Sequence, residues 1–295
     1  MNSLRNDPAT LLAVTEVLPA EWRDLSDLLD QYANINAILS DTANDRGDMR
    51  GKKLVLWIQK NLDSRRVAFW RVALAELKNA RPPVRFIPLT SREYPRNLRR
   101  CYDRPPFIFS AGHQYGFNAR SLAIVGSRDA SDEALSAARV IAAEAVSRKI
   151  TVVSGLASGV DSAAHEAALT GDGRTIGVLG SGIDSDGRLD DSDSLVSRVA
   201  HSGILVSQFR PGSPATRSSF PMRNAVISGL SKVSVIVQAG EHSGARNEAD
   251  HALRHGRPTL LWGPIMRKFP WAHRFVTACE ARFVDSAAEV VAEVS

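Results

Sequence analysis

Cysteine is almost missing from this chain. Only Cys101 and Cys279 occur in 295 residues, far apart and without metal-ligand spacing. That excludes a disulfide framework and a cysteine-based zinc site, and it fits a reducing compartment. Long apolar runs are missing too. No stretch approaches the roughly 20 residues of a membrane-spanning helix, and the opening MNSLRNDPATLLAV lacks the long apolar segment of a secretory signal. A cytoplasmic protein with no membrane partner is expected. The seven histidines form no HExxH-type cluster, so no metal is expected. Charge of one sign is scarcely in excess: 37 Lys and Arg against 32 Asp and Glu give a net +5. This permits a polyanionic partner without demanding one.

What is present follows two grammars. Residues 1–80 read as a small all-helical domain. Asp7-Pro8 suits a helix start, with Leu11, Leu12, Thr15 and Leu18 at helical spacing. Trp22, Leu25, Leu28, Leu29 and Tyr32 form a second stripe, and Val67, Trp70, Leu74 and Leu77 a further one, with a polar break at Gly47–Gly51. Such short helices need mutual packing, as a structural appendage or as a binding module. Arg81-Pro82-Pro83 is the linker candidate, and VRFIPL and FIFS after it read as strands.

Residues 81–295 form the second domain. From Ser121 onward, strands are expected at 122–125, 150–153, 174–179, 203–206, 233–237 and 259–262. Helices are expected at 131–148, 158–169, 195–201, 224–230, 245–255 and 288–294. Apolar strands alternating with helices imply an α/β fold: a doubly wound, mostly parallel sheet covered on both faces. In such sheets ligands bind at the carboxyl ends of the strands.

Those ends are rich in small residues. VGSRDAS places Gly126, Ser127 and Arg128 between a strand and a helix start, a plain turn or an anion site. It lacks the GxGxxG spacing of dinucleotide sites, and no cofactor is expected. VVSGLASGVDSAAH leaves the next strand through Gly155, Ser158 and Gly159. Asp161 then either caps the helix or helps form a site, and His165 reads as a helix-face residue packed on a neighbour. GVLGSGID repeats the exit. QFRPGSPATRSSFPMRNAVISGLSK carries Arg210, Arg217, Arg223 and Lys232 with Phe209 and Phe220 interleaved. Cations among aromatics suit a single-stranded nucleic acid, or are simply solvated surface. Ser243-Gly244 opens a last helix and could hold a further phosphate. Together these turns would line one groove, with nucleotide phosphate its natural occupant.

These residues carry a resemblance. YP..L....D.PP.....G from Tyr94 to Gly112, VGSR, SGLASGVDSAAHEAAL, GVLGSGID, GILVSQFRPGSP, FPMRNAVISGLS and GRP at Gly256–Pro258 follow the order of the DNA-processing protein A (DprA, Smf) family. The resemblance implies an extended Rossmann-like domain that binds single-stranded DNA, forms a homodimer and hands incoming strands to a RecA-type recombinase in natural transformation. It also implies that the N-terminal helices are similar to a sterile-alpha-motif domain, and no C-terminal winged helix is expected. On this reading the phosphate-binding residues are Gly126, Ser127, Arg128, Gly155, Ser158, Gly159, Arg223, Asn224, Lys232, Ser243 and Gly244, with no catalytic residue. Charge reversal at Arg128 or Arg223 is expected to abolish strand binding with folding intact.

The chain departs from the family pattern in several places. Gln208 and Gln238 stand where the family has Glu, and Ala225 where it has Arg. Acidic SDGRLDD follows GSGID, SGARNEA replaces SGSL.TA, and Gly263-Pro264 inverts PG. Losing a cation at Ala225 and gaining Asp190 and Asp191 weakens phosphate attraction. SGARNEA raises an alternative. The Lonely Guy phosphoribohydrolases carry an Arg upstream and a Glu four residues after a glycine, as Arg223, Gly244 and Glu248 do here. A nucleotide N-glycosidase would use Arg223 on the phosphate and Glu248 on the positive charge developing at the sugar, or on water. A nucleotide sensor in a stress or phage-defence pathway is the third reading.

Overall fold

In the computed structural model, residues 7–18, 22–32, 34–40, 49–113, 116–117, 120–183, 189 and 191–294 are described. The expected acidic loop lies largely outside them, as does Asp190. The chain divides into two compact units, Met1–Tyr94 with Tyr102–Ser110, and Pro95–Cys101 with Ala111–Ser295.

The first unit carries α1 (Pro8–Val17), α2 (Arg23–Tyr32), α3 (Ile35–Leu39), α4 (Met49–Asn61), α5 (Ser64–Lys78), β1 (Val84–Pro88) and most of β2 (Phe107–Gly112). Asp7 caps α1 from the position before Pro8, as expected. The polar break does not hold at its end: α4 starts at Met49 and runs through Gly51. Val55 and Ile58 of α4 are fully buried, and tertiary burial outweighs one glycine's propensity. Nor does this unit stop at residue 80 or consist of helices alone. Trp22 stacks near Phe107 with centroids 5.5 Å apart, and Phe107 meets Phe86 and Phe109. Arg104 is held by Asp27 at 2.9 Å and by Asp30. Aromatic burial and these ion pairs draw residues 102–110 into the helical unit's core.

The second unit begins with α6 (Arg96–Arg99) and continues β3 (Ser121–Val125), α7 (Asp132–Ser147), β4 (Thr151–Ser154), α8 (Val160–Thr170), β5 (Thr175–Val178), α9 (Leu195–Ser202) and β6 (Ile204–Ser207). There follow α10 (Ser219–Leu230), β7 (Val233–Ile236), α11 (Gly244–Arg254), β8 (Thr259–Trp262), α12 (Gly263–Met266), α13 (Pro270–Thr277), β9 (Arg282–Val284) and α14 (Ala287–Ala292). Its strands lie in the order β6-β5-β4-β3-β7-β8-β9, parallel throughout. This is the expected doubly wound architecture. The order reverses between β3 and β7, and a crevice opens at the carboxyl ends of the strands on either side of such a reversal.

Alternation sets the core. Leu122 and Ile124 of β3, Val152 of β4 and Val233 and Val235 of β7 point to one face, beneath α7 and α8. On α7, Ala134, Ala137, Ala138, Ile141, Ala142 and Ala145 form the buried stripe. Small alanines let α7 and α8 lie close against the sheet. Ser131 caps α7, with Asp132 and Glu133 in the first turn. Cys101 is buried and Cys279 exposed. Among the described residues no helix is long and apolar enough to cross a membrane.

His165 on α8 is fully buried, with Nδ1 2.7 Å from the Thr175 hydroxyl of β5. It packs against a neighbour, as read from the sequence. Burial lowers its pKa from 6.5 to about 4. The unfolded chain therefore binds a proton between these values that the folded chain refuses. His165 thus adds stability that is fully present above pH 6.5 and is lost as pH falls toward 4. A difference of this size corresponds to about 3 kcal/mol. Urea unfolding of wild type and H165Q across pH 4–7 is expected to show a shallower decline in the variant; equal slopes would rule the assignment out.

Candidate functional site

The loop after β3 is held from two sides. Ser127 donates its N–H to the Gln238 carbonyl after β7 at 2.8 Å, and its own carbonyl accepts from Val160 at the start of α8 at 3.2 Å. Gln238 Oε1 accepts from the Ser131 N–H at 2.9 Å, a bond a carboxylate would also make, so the departure to Gln leaves the loop intact. A side chain at Gly126 would come within 2.5 Å of Val160. Gly159 has φ +81°, and a Cβ there would overlap the Ser127 carbonyl and lie 2.6 Å from that of Arg128. These two glycines therefore admit a neighbouring segment of the protein rather than a ligand.

Gly155 does the same for Arg223. The expected helix at 224–230 in fact starts at Ser219, because Pro221 falls in its first turn, where no N–H is required. That places Arg223 on the inner face of α10, 5% exposed. Its Nη1 donates to the Gly155 carbonyl, and to the Val178 carbonyl at 2.8 Å. Its Nε donates to Asn224 Oδ1 at 3.2 Å. A Cβ on Gly155 would sit within the guanidinium. Arg223 is thus a strut between the ends of β4 and β5, not a surface cation. Burial lowers its pKa and Asp161 raises it, while an arginine stays protonated throughout the ordinary range.

Asp161 is the counter-charge. It is 5% exposed and accepts from the Gly155 N–H at 3.2 Å. Burial pushes its pKa up, while Arg223 and backbone N–H groups of Ala157, Gly126 and Gly155 pull it down. Glu248 on α11 is 1% exposed. Burial holds its carboxyl pKa well above the usual range, against a Ser234 hydrogen bond and Arg223. Ser234 donates to Oε1 at 3.2 Å, and Oε2 has no partner.

These groups floor a cavity of about 470 Å³ beneath Arg128, Phe220, Asn224, Ser243 and Gly244. A second, of about 250 Å³, shares Arg128, Ala157, Phe220 and Arg223 and extends to Ser158 and Gly180. Arg128 is exposed and lies over the Phe220 ring, 4.7 Å from its centroid. Asp129 also lines the larger cavity. At its far wall Ser243 caps α11 through Arg246 N, and a Cβ on Gly244 would meet nothing within 4 Å. Gly244 and Ala245, the first residues of α11, line the cavity, and a helix N-terminus so placed can hold a phosphate.

Of the expected binding residues, the structure brings Gly126, Ser127, Arg128, Arg223, Asn224, Ser243 and Gly244 to one cavity, and Gly155 and Ser158 to its neighbour. Gly159 abuts them through the Ser127–Arg128 backbone. Asn224 is occupied internally, with Nδ2 donating to the Gly244 carbonyl at 2.9 Å. Lys232 is displaced from the group. It precedes β7 and bonds the Ser121 carbonyl at 3.0 Å, so it stands at the amino end of the sheet, opposite the cavities. The N-glycosidase reading asked Arg223 to hold a phosphate, and its Nη1 and Nε are instead engaged by the Gly155 and Val178 carbonyls and by Asn224. Phe220 and Asp161 belong to the site although the expected set omitted them. Spacing carried the signal for burial: Arg223 shares a helical stripe with Val226, Ile227 and Leu230, and Glu248 with Ala245, Ala249 and Ala252.

A family model described as DNA recombination-mediator protein A matches residues 85–295. The chain is 37% identical over 185 residues to Protein Smf of Escherichia coli (strain K12), covering 62% of this chain and 50% of that protein. It is 31% identical over 207 residues to DNA processing protein DprA of Streptococcus pneumoniae (strain ATCC BAA-255 / R6), covering 68% and 71%. The match spans about half of the Escherichia coli protein and 58% of its Bacillus subtilis (strain 168) relative. The X-ray structure of DNA processing protein A from Streptococcus pneumoniae superposes with TM-score 0.77 at 23% identity, covering 97% of both chains. That of Helicobacter pylori, described for its single-stranded DNA binding mode, gives 0.62 at 20% identity, over 71% of this chain and 94% of that one.

The two arginines should separate cleanly. R223A strands Asp161 without its counter-charge and is expected to cost about 3–5 kcal/mol in denaturant unfolding. R128A is expected to stay within about 1 kcal/mol of wild type. Equal losses would refute the assignment of strut and surface cation.

Proposed function

Because the chain belongs to the DNA recombination-mediator protein A family, we propose that it binds single-stranded DNA along the two joined cavities. The observation that carries this reading is Arg128: an exposed guanidinium resting on an aromatic face, at a rim shared by both cavities. It offers phosphate pairing beside a ring on which a base can stack. The N-terminus of α11 provides a second phosphate contact without a charged side chain. Arg223, Asp161 and Asn224 shape the site from below and do not grip the strand. Two cavities with a common wall suit consecutive units of one chain. The single-stranded DNA binding named for the Helicobacter pylori protein of the same fold supports the reading.

The proposal extends to the role that the sequence resemblance implies: a homodimer that protects incoming strands and passes them to a RecA-type recombinase during DNA uptake, in the cytoplasm. No cofactor, metal or catalytic step enters it.

Gel-shift titration of R128E against a single-stranded oligonucleotide is expected to show affinity about tenfold or more below wild type, and a salt slope shallower by about one. Duplex of equal length should bind more weakly than single strand. Unchanged affinity of R128E with an intact thermal melt would overturn the proposal.

A further inference from the structure

One group in the site has no task in the strand-binding account. Glu248 is 1% exposed, lines the larger cavity, and has an oxygen without any partner. An unpaired buried polar atom is costly, so a protein that retains one at the floor of a cavity gains from an occupant that completes it. The groups around it narrow what that occupant is. Ser234 donates to Oε1 from the strand beneath. Arg223 is committed to the Gly155 and Val178 carbonyls, and Asp161 to the β4 exit loop. Oε2 of Glu248 is left to meet a ligand.

Helix geometry fixes its distance from the phosphate position. Gly244 and Glu248 are four residues apart on α11, about 6 Å along the axis, and helical side chains lean back toward the N-terminus. The carboxyl therefore lies roughly within one turn of the first N–H groups. That is the span between a phosphate and the sugar it esterifies; a base attached to the same sugar reaches further out, toward Phe220 and Arg128.

We propose that Glu248 is a specificity residue for a phosphorylated sugar: α11 holds the phosphate through the Gly244 and Ala245 N–H groups, and the Glu248 carboxyl forms a hydrogen bond through Oε2 with a hydroxyl of the adjoining sugar. This deepens the strand-binding reading by making the cavity a site for one nucleotide unit, here including a free 5′-nucleotide. Volume agrees, since about 470 Å³ falls in the range of small-ligand sites. The absence of any steric demand at Gly244 leaves its backbone open to the phosphate.

The test is calorimetric titration of the full-length chain with thymidine 5′-monophosphate, thymidine and inorganic phosphate, for wild type, E248Q and E248A, each first shown to melt cooperatively. The neutral amide of E248Q keeps a hydrogen-bonding group in place and should hold affinity for the nucleotide within about threefold. E248A removes it and should weaken nucleotide binding about five- to tenfold with phosphate affinity unchanged. Thymidine alone should bind far more weakly than its monophosphate. Should E248Q lose as much as E248A, a hydrogen bond from this position would not account for the binding and the proposal falls. It falls also if E248A matches wild type, or if nucleotide binds no better than inorganic phosphate. None of these results touches strand binding, which R128E tests separately by gel shift.

Discussion

A guanidinium withdrawn from water must find oxygen acceptors and a counter-charge, and Arg223 finds both at the point where three chain segments meet. It joins the ends of β4 and β5 through the Gly155 and Val178 carbonyls, with Asp161 alongside to balance it. Desolvating an ion is expensive, and the cost is recovered only when every donor and acceptor in the set is placed well. The loops after β3, β4 and β5 and the first turns of α8 and α10 are therefore positioned together. The crevice at the strand-order reversal inherits its shape from that arrangement.

The arrangement also sorts the charges by role. One cation and one anion face each other in the interior, burial pushes the pKa of a second acid up, and Arg128 stays outside on an aromatic support. A site built this way relies on backbone N–H groups and an exposed guanidinium more than on a dense basic patch. That agrees with the modest excess of positive charge over the whole chain. The lost cation at Ala225 is then a smaller matter than its place in a family motif suggests, for Ala225 is buried on α10.

Fold was far more legible in the sequence than site. Strands such as LAIV and TVVS announce themselves by unbroken apolar runs, and the Gly-Ser exits mark where they stop, because both signals are local. The boundary of the first unit was not legible, since it depends on Trp22, Phe86 and Phe107 meeting across long stretches of sequence. Within the site, the residue types that gather at the crevice were readable but not their direction. Arg223 sits in a Pro- and Ser-rich passage that reads as solvated loop. Only the helical spacing with Val226, Ile227 and Leu230 turns it inward. Lys232 looked like its companion in sequence, yet it follows the end of α10, and a helix of 12 residues carries the chain from the carboxyl ends of the strands back to their amino ends.

The fit between Gly155 and Arg223 has an evolutionary side. Any side chain at 155 collides with the guanidinium, and shortening 223 first leaves Asp161 buried and alone. Neither position can drift by itself, so a lineage leaving this pair must cross a fitness valley or change both codons together. The two sites are expected to behave epistatically, each freezing the other, whereas the exposed Arg128 is tied to no buried partner of this kind.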